Sequence, residues 1–330
     1  LENNLRINSY NPENAYEWLK ENATKYLNFG ISYLDDSIGG VGQSDLIILG
    51  AYSGQGKTEI AVDIALRSCL TGKNVYFYAL EAHNFEIENR IIYKLAAKKY
   101  FDNVTKIFRK YNVNYSAYMR NKIDIDFDLY VREAIIESER LYKDKLFIKY
   151  RGNSDFNIEN FRNDLMAIDL NADLIIIDHL HYFDFDETKE YAEINKIIKA
   201  IRDIVLLCEI PIILIAHLKK PDRKLNKVCP SLDDIHGSSN IYKIATNVIF
   251  IAKTEIIDAA DIYKFGTFIR VVKSRQTGAL DNYLGCVFYD IQTNAYEEKY
   301  KLAKITNMET GYEFLGKDKV PWWAKSANNL

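Results

Sequence analysis

The 330-residue chain carries 43 lysines and arginines against 46 aspartates and glutamates, a net charge of −3, and 48% of it is apolar. That content is ample for a packed core, excludes disordered and fibrous classes, and suits one large α/β domain or two small ones. The longest apolar runs, around residues 174–177 and 210–216, fall far short of the roughly 20 residues of a membrane span, so a soluble protein with no membrane partner is expected.

At the start of the chain, Leu1 in place of methionine and the polar Glu2, Asn3, Asn4 and Arg6 offer no secretory signal, and the sequence reads as cut from a longer one. Residues 1–28 read as an arm or linker, in which Asn11-Pro12-Glu13 opens a short helix through Trp18 and Leu19. From Leu46 onward, β-rich runs alternate with helical patterns, at residues 46–49, 75–80, 146–150, 174–177, 212–215, 248–251, 267–272 and 284–289. This alternation predicts an α/β fold, a mostly parallel twisted sheet with helices on both faces. One such domain is expected over residues 29–300, followed by a C-terminal tail at 301–330. The stretch at 100–127, rich in Asn, Lys and Tyr, reads as a helical insertion within that domain. Ile194, Ile197, Ile198, Ile201, Ile204, Val205 and Cys208 recur at helical spacing and predict a helix with one buried face. Cys69, Cys208, Cys229 and Cys286 form no CxxC pair, which suits free thiols in a reducing cytoplasm.

The chemistry concentrates in Ala51-Tyr52-Ser53-Gly54-Gln55-Gly56-Lys57-Thr58, which follows an apolar strand and opens a helix with Ile60, Ala61, Ile64 and Ala65 facing inward. That context is what a phosphate loop requires. Ser53, Gly54, Gln55 and Gly56 let backbone N–H groups converge on phosphates, Lys57 reaches the β and γ oxygens, and the Thr58 hydroxyl ligates Mg²⁺. Ala51 stands where the strictest form of the motif has Gly. Asp178 ends a buried strand and is the second candidate for the metal, and Glu81 ends another, placed to orient or deprotonate the attacking water. His217 ends the next strand and could donate to a γ-phosphate, while His179 and His181 flank Leu180 and raise a metal site as a rival idea. Near the C-terminus, two-residue alternation puts Lys273 and Arg275 on one face of a strand, as ordinary surface cations or as a finger donated to a neighbour's phosphate.

Taken in order, these parts resemble the RecA-like motor domain of ring-forming replicative DNA helicases, the DnaB, phage primase-helicase and mitochondrial Twinkle type. The resemblance covers about residues 29–297. It is carried by Gly30-Ile31-Ser32-Tyr33-Leu34-Asp35 with Gly39-Gly40, the phosphate loop, Ala79-Leu80-Glu81, Ile177-Asp178-His179, His217-Leu218-Lys219, Asp234-Ile235-His236-Gly237-Ser238 and Lys273-Ser274-Arg275. It implies a RecA-like P-loop NTPase using Mg²⁺ with ATP, dTTP or another NTP. Glu81 would be the catalytic carboxylate, Asp178 the magnesium-associated acid and His217 the phosphate sensor, with Lys273 and Arg275 donated across a subunit interface. It further implies single-stranded DNA as partner, a hexameric ring, and primase or other replication proteins nearby, in the cytoplasm of a bacterial or phage-infected cell. Lys219, Lys220, Arg223, Lys224 and Lys227, with Gly237 and Ser238, stand where relatives grip DNA, and a positive groove is the electrostatics that needs. His236 stands where relatives often carry Arg. With the arm read as too short for the helical collar of DnaB, and no primase or zinc-binding module read ahead of the motor in this sequence, the arm is expected to dock on a neighbouring subunit. The competing expectation is a RecA-like ATPase of another class, a recombination mediator, KaiC-like regulator or defence-system motor without helicase activity.

Overall fold

The computed structural model describes residues 26–83, 85–104, 113–150, 156–167, 171–183, 190–218, 227–235, 240–278 and 280–327. Residues 1–25, and with them the short helix read at Asn11 and the docking arm, lie outside the described residues.

Strands β1 (Tyr26–Leu27) and β2 (Val41–Gly42) make a small antiparallel pair around helix α1 (Ser32–Ile38). The main sheet then builds from β3 (Leu46–Ala51), α2 (Lys57–Leu70), β4 (Val75–Ala79), α3 (Glu86–Asn103), α4 (Tyr115–Met119), α5 (Ile125–Asp144), β5 (Leu146–Tyr150), α6 (Ile158–Ala167) and β6 (Leu174–Asp178). It continues through α7 (Glu190–Cys208), β7 (Ile212–His217), α8 (Asn240–Ile244), β8 (Asn247–Asp258), β9 (Asp261–Ser274), β10 (Tyr283–Asp290), β11 (Ala295–Thr306) and β12 (Gly311–Phe314). The ten strands lie in the order β12-β11-β10-β9-β8-β3-β7-β6-β4-β5. From β8 to β5 all neighbours are parallel, and from β8 to β12 all are antiparallel.

Period-two alternation divides the central strands between two cores. Ile47 and Leu49 of β3 pack under α2, α3 and α5 with Ile60, Ile91 and Phe127. Leu46 and Ile48 pack on the opposite face with Phe161 of α6, Ile198 of α7 and Ile241 of α8. The apolar stripe expected on α7 is there, with Ile194, Ile197, Ile198, Ile201, Ile204 and Val205 all buried.

One expected boundary moves. Residue 300 falls inside β11, and the sheet continues to Phe314, beyond which Leu315, Val320 and Trp323 pack on the first core. Thus residues 301–327 complete the domain rather than trail from it. The charged composition of β11 hid a strand whose buried Tyr296, Tyr300, Leu302 and Ala303 face inward. At 100–127, where a helical insertion was expected, the described residues form the end of α3, α4 and the start of α5, and Phe127 meets Tyr100 edge to face and Tyr93 at a tilt inside the first core.

A buried ionic cluster ties that layer to the sheet. Lys94 of α3, 3% exposed, contacts Asp63 at 2.7 Å and Glu59 at 2.9 Å on α2, and donates to the Asn294 carbonyl in the β10–β11 turn. Asp63 also accepts from the Tyr296 N–H at 2.6 Å. Lys94→Met strands the buried Asp63 without its cation, while Glu59 keeps Arg90, and is expected to cost about 3–5 kcal/mol of stability, read from urea unfolding against wild type.

Candidate nucleotide site

Parallel register delivers the C-terminal ends of β3, β7, β6 and β4 to one edge of the sheet, where an open α/β sheet holds its ligand. Along that edge stand Gly54, Gly56, Lys57, Thr58, Glu81, Asp178 and His217, lining a cleft of about 430 Å³. Gly54 and Gly56 take φ of 75° and 91°, a left-handed backbone suited to glycine, and a Cβ on Gly56 would lie 2.8 Å from the Tyr296 hydroxyl. Lys57 folds back over the loop, donating to the carbonyls of Ala51 at 3.2 Å and Tyr52 at 3.1 Å and facing His217 Nδ1 at 3.2 Å. Gln55 accepts from the Lys253 N–H at 2.7 Å, so β8 also steadies the loop.

The Thr58 hydroxyl donates to Asp178 Oδ2 at 2.6 Å. Asp178 is 2% exposed, and its Oδ1 is buried without a hydrogen-bond partner. A buried carboxylate oxygen left unmatched beside a hydroxyl is the donor set a hard divalent cation takes, so these residues fit Mg²⁺. Desolvation raises the Asp178 carboxyl to about 6, against the lowering effect of the Thr58 hydrogen bond. Burial likewise lowers Lys57, opposed by Asp178 and Glu81.

His179 follows Asp178 and is 3% exposed. Its Nε2 lies 3.2 Å from Glu81 Oε2 and 2.9 Å from His217 Nε2, with 3.8 Å between His217 Nε2 and Glu81 Oε2. The His179 and His181 pair considered from sequence thus gives way to a triad of Glu81, His179 and His217. Its surroundings are wrong for a metal. A ligating imidazole presents its other N–H to an acceptor, whereas His179 Nδ1 faces the His181 N–H at 3.3 Å and His217 Nδ1 faces the Lys57 ammonium. Burial first, and then neighbouring cationic groups, lowers His179 to about 2 and His217 to about 4, so both rings are neutral near pH 7.

Lys273 and Arg275 lie at the other edge. The Arg275 N–H donates to the Thr246 carbonyl at 3.1 Å, and the Thr246 N–H donates to the carbonyl of Leu46, the first residue of β3. About 16 Å of strand therefore separates them from their own phosphate loop, more than a side chain spans. β9 ends at Ser274, leaving Arg275 exposed in a turn. Lys273 is spent on the C-terminus of α8, donating to the carbonyls of Tyr242 at 2.6 Å, Ala245 at 2.7 Å and Lys243 at 3.0 Å. Of the two cations, Arg275 alone is left projecting.

Lys219, Lys220, Arg223, Lys224, Gly237 and Ser238 lie outside the described residues. Lys227 is described and turned inward, donating to Ser231 Oγ at 2.6 Å and Asp234 Oδ2 at 3.1 Å with Glu309 at 3.6 Å. Its ammonium braces the chain, and no spare charge remains on it for a phosphate backbone. Sequence reasoning missed Glu59, Glu86, Arg90 and Lys253, which also line the cleft. Arg90 bridges Glu59 and Glu86. Only the helical i,i+4 spacing of Glu86 and Arg90 hinted at this.

The sequence profile of the DnaB-like helicase C terminal domain matches residues 27–288. The chain belongs to that family. It is 22% identical over 253 residues to the replicative DNA helicase DnaB of Mycoplasma pneumoniae, covering 72% of this chain and 49% of the relative. It is 25% identical over 231 residues to a probable plasmid replicative DNA helicase of Chlamydia psittaci, covering 68% and 46%. The chain thus spans about half the length of the curated relatives it matches. Among solved structures, the ATPase domain of G40P superposes with a TM-score of 0.67 at 15% identity, covering 86% of this chain and 95% of that one. A DnaB-like replicative helicase, described with its interactions with primase, gives 0.66 at 14% identity, covering 86% and 65%. These likenesses show the RecA-like fold.

Because folded His179 resists protonation while an unfolded histidine titrates near 6.5, acid favours the unfolded chain. Stability contributed by His179 is full above about 6.5 and falls as pH drops toward 2. Urea unfolding from pH 7 to 5 should show wild type losing ground to His179→Gln, approaching about 1.4 kcal/mol per pH unit.

Proposed function

We propose that this chain is the motor of an ATP-driven helicase or translocase that moves along single-stranded DNA as a ring, most simply a hexamer. The observation that carries the reading is the division of the site: Lys57, Thr58, Glu81, Asp178 and His217 share one edge of the sheet, and Arg275 projects from the other. A head-to-tail neighbour would bring the second edge of one subunit onto the first edge of the next, and such contacts close into rings.

Within the cleft, Lys57 leaves its loop carbonyls for the β and γ oxygens, and the loop N–H groups hold the remaining phosphate charge. Thr58 and Asp178 would hold Mg²⁺, whose charge would offset that of the phosphates. Glu81 accepts the proton of the attacking water, and His217, at hydrogen-bonding distance from Lys57, senses the terminal phosphate. Arg275 from the neighbour supplies the last positive charge, a contribution of about 10³ to 10⁵ in rate. DNA as substrate is supported by the names of the relatives, and a grip on a single strand of it by the basic run Lys219, Lys220, Arg223 and Lys224 in the segment after His217. Primase or another replication protein is a partner suggested by the solved DnaB-like helicase described with its primase interactions.

Hydrolysis by wild type should rise on adding single-stranded DNA and lose that stimulation as salt is raised, because phosphate contacts release counterions. Indifference to DNA at all salt concentrations would favour a RecA-like ATPase of another class. Lys57→Ala should abolish hydrolysis, and Arg275→Ala should leave assembly, read by particle size, intact while removing turnover. Mixing those two inactive variants restores interfaces with both residues present. Absence of any recovered hydrolysis in mixed rings that do form would sink the cross-subunit role.

A further inference from the structure

Lys273 is spent on α8, yet the edge that carries Arg275 holds another cation. Arg202 of α7 donates through Nη1 to the carbonyl of Ser44, just ahead of β3. Arg275 is tied to the same place by its backbone, through Thr246 to Leu46. Ser44 and Leu46 are two residues apart, so both arginines are fixed to one stretch of chain about 7 Å long.

Three cations from three elements meet there with little to neutralise them. Lys273 gives its ammonium to three carbonyls, whereas among the described residues the Ser44 carbonyl is the one hydrogen-bond partner of Arg202, and a guanidinium has N–H donors to spare. The acid that acts on Arg202, Asp45, is buried and already accepts from the Gly42 N–H at 2.8 Å. Burial first, and then the charge of Arg275, lowers Arg202, and burial followed by the two arginines lowers Lys273. A guanidinium keeps its charge regardless, and its planar fork matches phosphate oxygens.

The same edge has the surface of a protein contact. Leu206, one helical turn beyond Arg202 on the same face, is 52% exposed, and Leu207 is 84% exposed. Arginine beside bare apolar side chains is the mix that protein contacts bury. The nucleotide edge answers it: Phe85, between the cleft-lining Ala82 and Glu86, is 68% exposed, and Glu59 and Glu81 line the same opening. A second copy of this chain would thus set an acidic, phosphate-binding mouth with an apolar rim against a basic edge with another.

We infer that Arg202 is the second cation this edge donates, entering the neighbouring subunit's cleft beside Arg275 and binding a phosphate of the nucleotide held there. It takes the part that two-residue alternation assigns to Lys273, whose ammonium is turned back onto α8. The inference rests on the reading of Arg275 as a residue donated across the subunit contact.

The test uses Arg202→Gln, which keeps an N–H for the Ser44 carbonyl and loses the charge, and Arg202→Lys, which keeps the charge. Hydrolysis of MgATP with single-stranded DNA, particle size, affinity for ADP and thermal midpoint are measured on each. Arg202→Gln is expected to lose about a hundredfold in kcat with the other three unchanged, and Arg202→Lys to recover part of that loss. Mixed rings then locate the residue. Arg202→Gln mixed with Lys57→Ala should recover hydrolysis, because some clefts with Lys57 then face an intact edge; mixed with Arg275→Ala it should recover none, because every donated edge lacks one of its two cations. The opposite pattern puts Arg202 to work in its own subunit and overturns the inference, as does a wild-type rate in Arg202→Gln, or a loss that comes with smaller particles or a lower midpoint. Arg275→Ala keeps the two readings apart. If it turns over at the wild-type rate, the donated edge itself fails; if it is inert while Arg202→Gln matches wild type, only the role of Arg202 fails.

Discussion

Everything at the candidate site depends on parallel strand register. Each crossover through a helix returns the chain to the same edge, so β3, β4, β6 and β7 all finish there although more than 160 residues separate the first from the last. A hairpin connection would have sent alternate ends to the opposite edge. The phosphate loop, Glu81, Asp178 and His217 are therefore assembled by topology, and the only local requirement is that each strand end on the right residue.

That convergence crowds ionisable groups into a poorly hydrated space, and their protonation states adjust to it. Asp178 is pushed toward its neutral form and the two histidines are held neutral, so without a ligand the cleft carries less charge than its residue list suggests. Lys57 meets the same constraint by curling onto two carbonyls and an imidazole. A divalent cation with a nucleotide would compensate all of these groups together, giving Asp178 a partner for its unmatched oxygen and Lys57 a better one.

Behind the cleft, a different buried cluster holds the frame. Lys94 joins α3 to Glu59 and Asp63 on α2, the helix that begins with Lys57, and to the turn between β10 and β11. Arg90 extends it to Glu86 at the mouth of the cleft. The antiparallel strands β9 to β12, absent from the minimal nucleotide-binding unit, are thereby coupled to the base of the phosphate loop. Their far edge carries Arg275, so the two ends of the proposed subunit contact belong to one rigid sheet.

The phosphate loop, the buried runs that became β3, β6 and β7, and the one-sided helix α7 were legible because local residue order dictates them: a run of β-branched residues or a stripe of isoleucines has few other solutions. Asp178, Glu81 and His217 were legible as strand ends for the same reason. The charged strand β11 was not, since its burial comes from cross-strand neighbours. Nor could local order say that Lys273 would be used up on the carbonyls of α8, that Lys227 would turn onto Asp234, or that His179 would meet Glu81 and His217 instead of acting with His181. Those outcomes depend on which groups tertiary packing brings within hydrogen-bond reach, so sequence alone determined an α/β fold carrying a phosphate loop, and only the fold decided which of its charged side chains are free to act.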